Sequence, residues 1–148
     1  MEKELFDIVL ADDDEGDRHI FKEALEELEI KHRVHIVNNG MQLMDYLTKK
    51  DTSLPDLIFL DLNMPYKNGM ECLKEIRHNE KFKSIAIAIY STSGSEKDVE
   101  DTFLSGANIY IKKPNNFAML RQLLFKVVAA TYLYQDESFN RKNFFLSI

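Results

Sequence analysis

The chain has 148 residues, of which 45% are hydrophobic, and this is enough for the buried core of one domain. Its formal net charge of -6 argues against a surface that binds nucleic acid or anionic membranes, because such surfaces need a dominant basic patch. No apolar stretch is as long as a membrane span, the first residues do not resemble a signal peptide, and the single cysteine, Cys72, cannot form an internal disulfide. We therefore expect a cytoplasmic protein in which 1–148 form a single domain.

The predicted elements alternate between strands and helices along the chain. Short runs rich in Ile, Val, Leu and Phe are typical of buried parallel strands, and the segments between them have the apolar periodicity of helices. The clearest strands are 8–11, 57–60, 85–90 and 109–111, and the helices are predicted at 17–29, 40–49, 69–78, 95–104 and 116 to about 134. Five such repeats favour an α/β, flavodoxin-like, doubly wound sheet of five parallel strands in the order 2-1-3-4-5, with helices on both faces.

Polar residues stand at the end of each clear strand, where parallel sheets bind their ligands. Asp12 and Asp13 follow the first strand, Asp61 the third, Ser91 the fourth and Lys113 the fifth. If these groups converge, three carboxylates repel one another and need a cation. Oxygen ligands without His or Cys favour Mg²⁺. With Mg²⁺ and Lys113 the charges of the three carboxylates are balanced, so the site can accept a phosphoryl group.

Asp61 stands apart from the acid pair and is the predicted nucleophile. A carboxylate that attacks phosphorus forms an acyl phosphate, and such a transfer needs mainly positioning and charge neutralisation. The hydroxyl of Ser91 and the ammonium of Lys113 can each bond one phosphoryl oxygen.

These motifs resemble the receiver domain of two-component response regulators, over a core of about 6–134. The resemblance is carried by Val-Leu-Ala-Asp-Asp at 9–13, Leu-Asp-Leu-Asn-Met-Pro at 60–65, Gly69, Ser91, Gly106-Ala107, Tyr110 and Lys113-Pro114. Within the family, Tyr90-Ser91-Thr92-Ser93 is similar to stand-alone, chemotaxis-like regulators and to the small regulators paired with bacterial phytochromes.

The resemblance implies a role for each of these residues. Asp12, Asp13 and Asp61 would hold Mg²⁺ together with the backbone carbonyl of Asn63. Asp61 would receive its phosphoryl group from a sensor histidine kinase or a phosphotransfer protein. Ser91 would then move toward the phosphate, and Tyr110 would swing from solvent into the vacated space. The protein would be a phosphoacceptor and not an enzyme, promoting only its own phosphorylation and dephosphorylation.

We expect no output domain after the last predicted helix, so the signal would leave through a protein-binding surface. That surface is the face of the fourth helix, the fifth strand and the last helix, and it would bind a downstream protein and no nucleic acid. The aromatic tail at 135–148 is expected to pack over the last helix or in a homodimer.

Several alternatives remain open from the sequence. A third acid, Asp14, allows the pair to be Asp13 and Asp14. The acidic run taken alone could cap a helix, although polar groups at four strand ends would then coincide by chance. The bond before Pro114 matches a family position that is cis. A phosphatase with an Asp nucleophile would need an acid at Asn63, and a docking module without phosphorylation would have lost the acids or Lys113.

Overall fold

The computed structural model describes residues 5–49, 53–134 and 145–146. In these residues a parallel sheet is connected by five α-helices and a short 3-10 helix at Glu80–Phe82. The strands are β1 (Phe6–Ala11), β2 (His32–Val37), β3 (Leu57–Leu60), β4 (Ala86–Ser91), β5 (Ile109–Lys112) and β6 (Phe145–Leu146). The helices are α1 (Glu15–Glu26), α2 (Gly40–Thr48), α3 (Gly69–Arg77), α4 (Glu96–Leu104) and α5 (Phe117–Tyr134).

The strands lie in the order 2-1-3-4-5-6, and every neighbouring pair is parallel. The predicted order 2-1-3-4-5 is therefore confirmed. The sixth strand was not predicted: Phe145–Leu146 pair with Tyr110 and Ile111, which satisfies backbone groups on the β5 edge. Two tail residues thus extend the sheet, whereas we expected the tail over the last helix or in a dimer. The other tail residues, 135–144 and 147–148, lie outside the described part of the chain.

Each face of the sheet has its own apolar core, as the predicted two-sided arrangement requires. Side chains of α1 and α5 pack with Ile8, Leu10 and Phe59 on one face. Side chains of α2, α3 and α4 pack with Val9, Ile58 and others on the opposite face. Among the helices that the structure describes, none combines the length and the hydropathy needed to span a bilayer.

Helix α1 begins two residues earlier than predicted because Asp14 caps it. The Asp14 side chain accepts a hydrogen bond from the backbone N–H of Asp17 at 2.8 Å, which satisfies one of the free donors of the first turn. The alternative that the acidic run caps a helix is thus correct for Asp14. Because the cap starts the helix at Glu15, Asp17 lies in its first turn, close to the carboxyl edge of the sheet.

The loops at this edge are fixed by close backbone packing. Gly69 donates its N–H to the carbonyl of Leu62 at 3.0 Å, and a Cβ at Gly69 would lie only 2.2 Å from the carbonyl oxygen of Asp61. Only glycine therefore fits where α3 meets the end of β3. The expected cis bond before Pro114 is not found, since every peptide bond in the described segments is trans, the lower-energy isomer.

Candidate functional site

The register of the two central strands places the first carboxylates side by side. Ala11 pairs with Leu60, so Asp12 and Asp61 follow neighbouring strands at the same level, and the N–H of Asp61 donates to the carbonyl of Ala11 at 3.0 Å. Asp12 is fully buried and Asp61 is 5% exposed. The sheet therefore holds two carboxylates next to each other where little water reaches them.

Asp13 adds a third carboxylate from the solvent side. One oxygen of each of Asp12, Asp13 and Asp61 lies within 4.8 Å of the others. Oδ2 of Asp12 is buried and has no aligned hydrogen-bond donor among the described residues, although Nζ of Lys113 lies 2.9 Å away. Two unit charges at about 4 Å repel by about 4 kcal/mol at an effective dielectric of about 20. An open acidic cluster with such a buried oxygen fits a divalent cation.

Lys113 is the cation that the chain itself supplies. Its side chain is 8% exposed, and Nζ lies 2.8 Å from Asp17, 2.9 Å from Asp12 and 3.4 Å from Asp61. Burial alone would lower the pKa of Lys113, but the hydrogen bond to Asp17 and the negative charges of Asp12 and Asp61 outweigh it and raise the pKa. The ammonium therefore stays charged, and the backbone N–H of Lys113 is fixed to the carbonyl of Ser91 at 2.7 Å.

The environment of Asp61 makes it a weaker acid than usual. Burial raises its pKa to about 6, opposed by the charge of Lys113 and assisted by the negative charge of Asp12. The N–H of Asn63 also donates to Oδ1 of Asp61 at 3.2 Å and favours the ionised form. Asp61 is thus ionised at neutral pH yet more basic than an exposed aspartate. The role of the Asn63 carbonyl as a metal ligand stays a prediction.

Ser91 and Tyr110 lie on adjacent strands at the same edge of the sheet. Ser91 is fully buried, and its Oγ accepts a hydrogen bond from the N–H of Ser93 at 3.2 Å. Tyr110 is also fully buried, and its hydroxyl donates to the carbonyl of Ser93 at 2.7 Å. The expectation that this ring starts in solvent is wrong, because its hydroxyl has an internal acceptor and its ring packs beside β4. The role of the two residues as a switch pair stays a prediction.

Asp14 lies outside the acidic cluster. Its side chain caps α1, and its backbone N–H donates to Oδ1 of Asp12 at 2.9 Å. Among the described residues, the carboxylates that meet are those of Asp12, Asp13 and Asp61. This geometry favours Asp12 and Asp13 as the acid pair.

Two residues that contact Lys113 were missed from the sequence. The sequence places Asp17 at the start of the predicted helix 17–29 and gives it no role in the site, yet its carboxylate lies 2.8 Å from the ammonium. The signal that could have found it is the cap at Asp14, which places Asp17 in the first turn beside the strand ends. The ring of Tyr90 lies under the same ammonium, with 5.2 Å from Nζ to the ring centroid. Burial is the main cause that raises the pKa of Tyr90.

Residues 8–125 match the family model described as the response regulator receiver domain. The chain belongs to this family. Receiver-domain response regulators are signalling proteins of two-component systems, and they bind a divalent metal at an acidic pocket such as the one formed here. The family predicted from the motifs is therefore confirmed.

Known receiver proteins resemble this chain over most of its length. It is 34% identical over 125 residues to the response regulator Rcp1 of Synechocystis sp., with 82% of each chain covered. The crystal structure of the phosphorylated cyanobacterial phytochrome response regulator RcpA superposes with a TM-score of 0.81 at 34% identity, over 87% of this chain and 95% of that one. The Mn²⁺-bound form of Rcp1 gives 0.78 at 30% identity, over 86% and 94%.

We predict that Asp61→Asn stabilises the metal-free receiver domain above neutral pH. Folding raises the pKa of Asp61 from 3.8 to about 6, so the ionised group opposes folding once the pH exceeds the folded value. This penalty is absent below the unfolded pKa, and it reaches about 1 to 3 kcal/mol at high pH. Urea unfolding with a chelator should show the gain at about pH 8 and lose it at about pH 4. Equal stability of the two proteins at about pH 8 would contradict the account.

Proposed function

We propose that this receiver domain accepts a phosphoryl group on Asp61 from the phosphohistidine of a sensor kinase. Mg²⁺ would be held by Asp12, Asp13 and Asp61, with the backbone carbonyl of Asn63 as a further ligand. The observation that carries the proposal is a nearly buried Asp61 placed between an acidic cluster and the ammonium of Lys113, 3.4 Å away. Nucleophile, negative metal ligands and a fixed cation thus occupy one crevice.

The chain's own groups account for most steps of the transfer. A carboxylate oxygen of Asp61 attacks phosphorus as the P–N bond of phosphohistidine breaks, and the imidazole leaves with the electron pair. Lys113 donates a hydrogen bond to one phosphoryl oxygen, and the hydroxyl of Ser91 donates to a second. A Mg²⁺ ion held by Asp12, Asp13 and Asp61 would supply the remaining neutralisation of charge. With a pKa raised to about 6, Asp61 is still mostly ionised at neutral pH, and it is more basic than an ordinary aspartate, which favours its role as a nucleophile.

The similar proteins support a proposal for the protein that donates the phosphoryl group. RcpA is described as a phytochrome response regulator, and its structure is of the phosphorylated form. For this chain we therefore propose a phytochrome-like sensor histidine kinase, or a phosphotransfer protein, as the phosphoryl donor. The structure of Rcp1 with Mn²⁺ supports a divalent metal in the same fold, and we propose Mg²⁺ because the ligands here are all oxygen.

A chain of hydrogen bonds leads from the phosphorylation site toward α4. Ser91 is bonded to Ser93, whose carbonyl accepts from Tyr110 and whose hydroxyl donates to Asp98 of α4 at 2.6 Å. A phosphoryl group that attracts Ser91 would therefore also disturb Tyr110 and the first turn of α4. We propose that the face of α4, β5 and α5 changes in this way and binds a downstream protein or a second copy of the chain.

The proposal is tested directly by phosphorylation with Mg²⁺ and acetyl phosphate, or with the cognate kinase. Intact mass spectrometry should show one added phosphoryl group on the wild-type chain and none on Asp61→Asn. Asp14→Asn is the matched control, because Asn keeps the helix cap and removes an acid that lies outside the cluster. It should be modified like the wild type. Modification of Asp61→Asn would show that another residue is the acceptor.

The metal site is tested with Asp13→Asn and with the same control, Asp14→Asn. We expect Asp13→Asn to weaken Mg²⁺ binding about tenfold or more, because it removes one of three clustered carboxylates. Asp14→Asn should weaken binding by about threefold at most, through the loss of long-range charge. Titration followed by tyrosine fluorescence or NMR gives both affinities. If Asp14→Asn weakens binding as much as Asp13→Asn does, the acid pair is Asp13 and Asp14.

A further inference from the structure

We propose that Asp17 is a positioning residue that keeps the ammonium of Lys113 in place while its other partners change. This inference rests on the proposed phosphorylation of Asp61. Nζ of Lys113 has three carboxylate neighbours, and Asp17 makes the shortest contact, at 2.8 Å, against 2.9 Å for Asp12 and 3.4 Å for Asp61. Asp17 is also an aligned hydrogen-bond acceptor, whereas Oδ2 of Asp12 is not.

The other two carboxylates have competing tasks in the proposed reaction. Asp12 belongs to the acidic cluster that fits a divalent cation, and Asp61 belongs to it and is also the proposed acceptor. Metal binding would engage the carboxylate of Asp12, and phosphorylation would convert Asp61 into an acyl phosphate. Asp17 has neither task, since it is not part of that cluster. It is therefore the one carboxylate of the three that can hold Lys113 throughout the cycle.

The fold gives Asp17 a firm base for this role. It lies in the first turn of α1, directly after the cap at Asp14, and the helix is anchored in the core through the fully buried Phe21. The neighbouring Arg18 donates from Nη1 to the carbonyl of Asp12 at 3.0 Å, which ties the same turn to the end of β1.

A cavity of about 380 Å³ separates α1 from the start of α5, and Asp17 and Lys113 both line it. Tyr90 lines it as well and supports the ammonium from below with its ring. Without Asp17, the ammonium could turn into this space and leave its position above Asp61. Contact with Asp17 on one side and with the ring of Tyr90 on another limits that motion.

The positioning contact of Asp17 can be distinguished from the general effect of its negative charge, because loss of the contact and loss of the charge change the affinity for an anion in opposite directions. Removal of any nearby negative charge favours binding of an anion, so a pure charge effect of Asp17→Asn would tighten the binding of beryllofluoride, a phosphoryl mimic. Loss of the positioning contact weakens it. Glu15→Gln is the matched control, since Glu15 is an exposed acid in the same first turn and is not among the carboxylates paired with Lys113.

The experiment uses the full chain as wild type, Asp17→Asn, Asp17→Glu and Glu15→Gln. Beryllofluoride binding with saturating Mg²⁺ is followed by NMR, and the labelling rate of the Lys113 amine is followed by mass spectrometry. We expect Asp17→Asn to weaken beryllofluoride binding about fivefold to tenfold, as for one partly exposed charge-assisted hydrogen bond. It should also label Lys113 faster relative to the other lysines in the same sample. Asp17→Glu should recover part of both, and Glu15→Gln should bind as tightly as the wild type or slightly more tightly.

Two results would overturn the inference: Asp17→Asn matching Glu15→Gln in binding, or an unchanged labelling rate of Lys113. Failure of the proposed function looks different. In that case the wild type itself would bind no beryllofluoride, while the labelling rates would still decide whether Asp17 holds Lys113.

Discussion

The site depends on one buried ammonium that is shared by several carboxylates. Lys113 lies against Asp12, Asp17 and Asp61, of which Asp12 and Asp61 are buried, and Asp13 adds a further charge from the solvent side. Like charges so close repel by about 4 kcal/mol per pair at an effective dielectric of about 20, so these acids remain together only with cations among them. Lys113 supplies one positive charge, and a divalent metal leaves the group with a single excess negative charge. The sequence alone predicted a site with no net charge. The excess negative charge comes from Asp17, which was not among the predicted site residues.

The parallel sheet produces this crowding. Each of β1, β3 and β5 is an apolar strand that ends where a charged residue follows, and parallel strands bring those ends to one edge. The register of β1 against β3 sets Asp12 beside Asp61, and α3 packs so closely on the end of β3 that a Cβ at Gly69 would clash with the carbonyl of Asp61. The sequence could therefore predict the order of the central strands. It could also predict that Asp12, Asp61 and Lys113 converge, because each follows the carboxyl end of an apolar strand.

Features that depend on side-chain contacts between distant elements could not be predicted in this way. Asp17 looks like any acid on a solvated helix face, and only the geometry of the first turn of α1 brings it to Lys113. The burial of Tyr110 depends on an acceptor in the β4–α4 loop, the carbonyl of Ser93. The short strand β6 depends on an open edge at β5, and a two-residue strand leaves little periodicity in the sequence.

The most direct test of this account is the free energy of unfolding of Lys113→Met, a nearly isosteric change that removes the shared charge. If Lys113 neutralises the buried acids, the substitution should cost about 3 to 5 kcal/mol in a chelator near neutral pH, as for a broken buried ion pair. Saturating Mg²⁺, or the addition of Asp61→Asn in the same chain, should recover much of that loss, because each reduces the uncompensated negative charge. A loss below about 1 kcal/mol, or an equal loss with and without Mg²⁺ and Asp61→Asn, would contradict the central role of this ammonium.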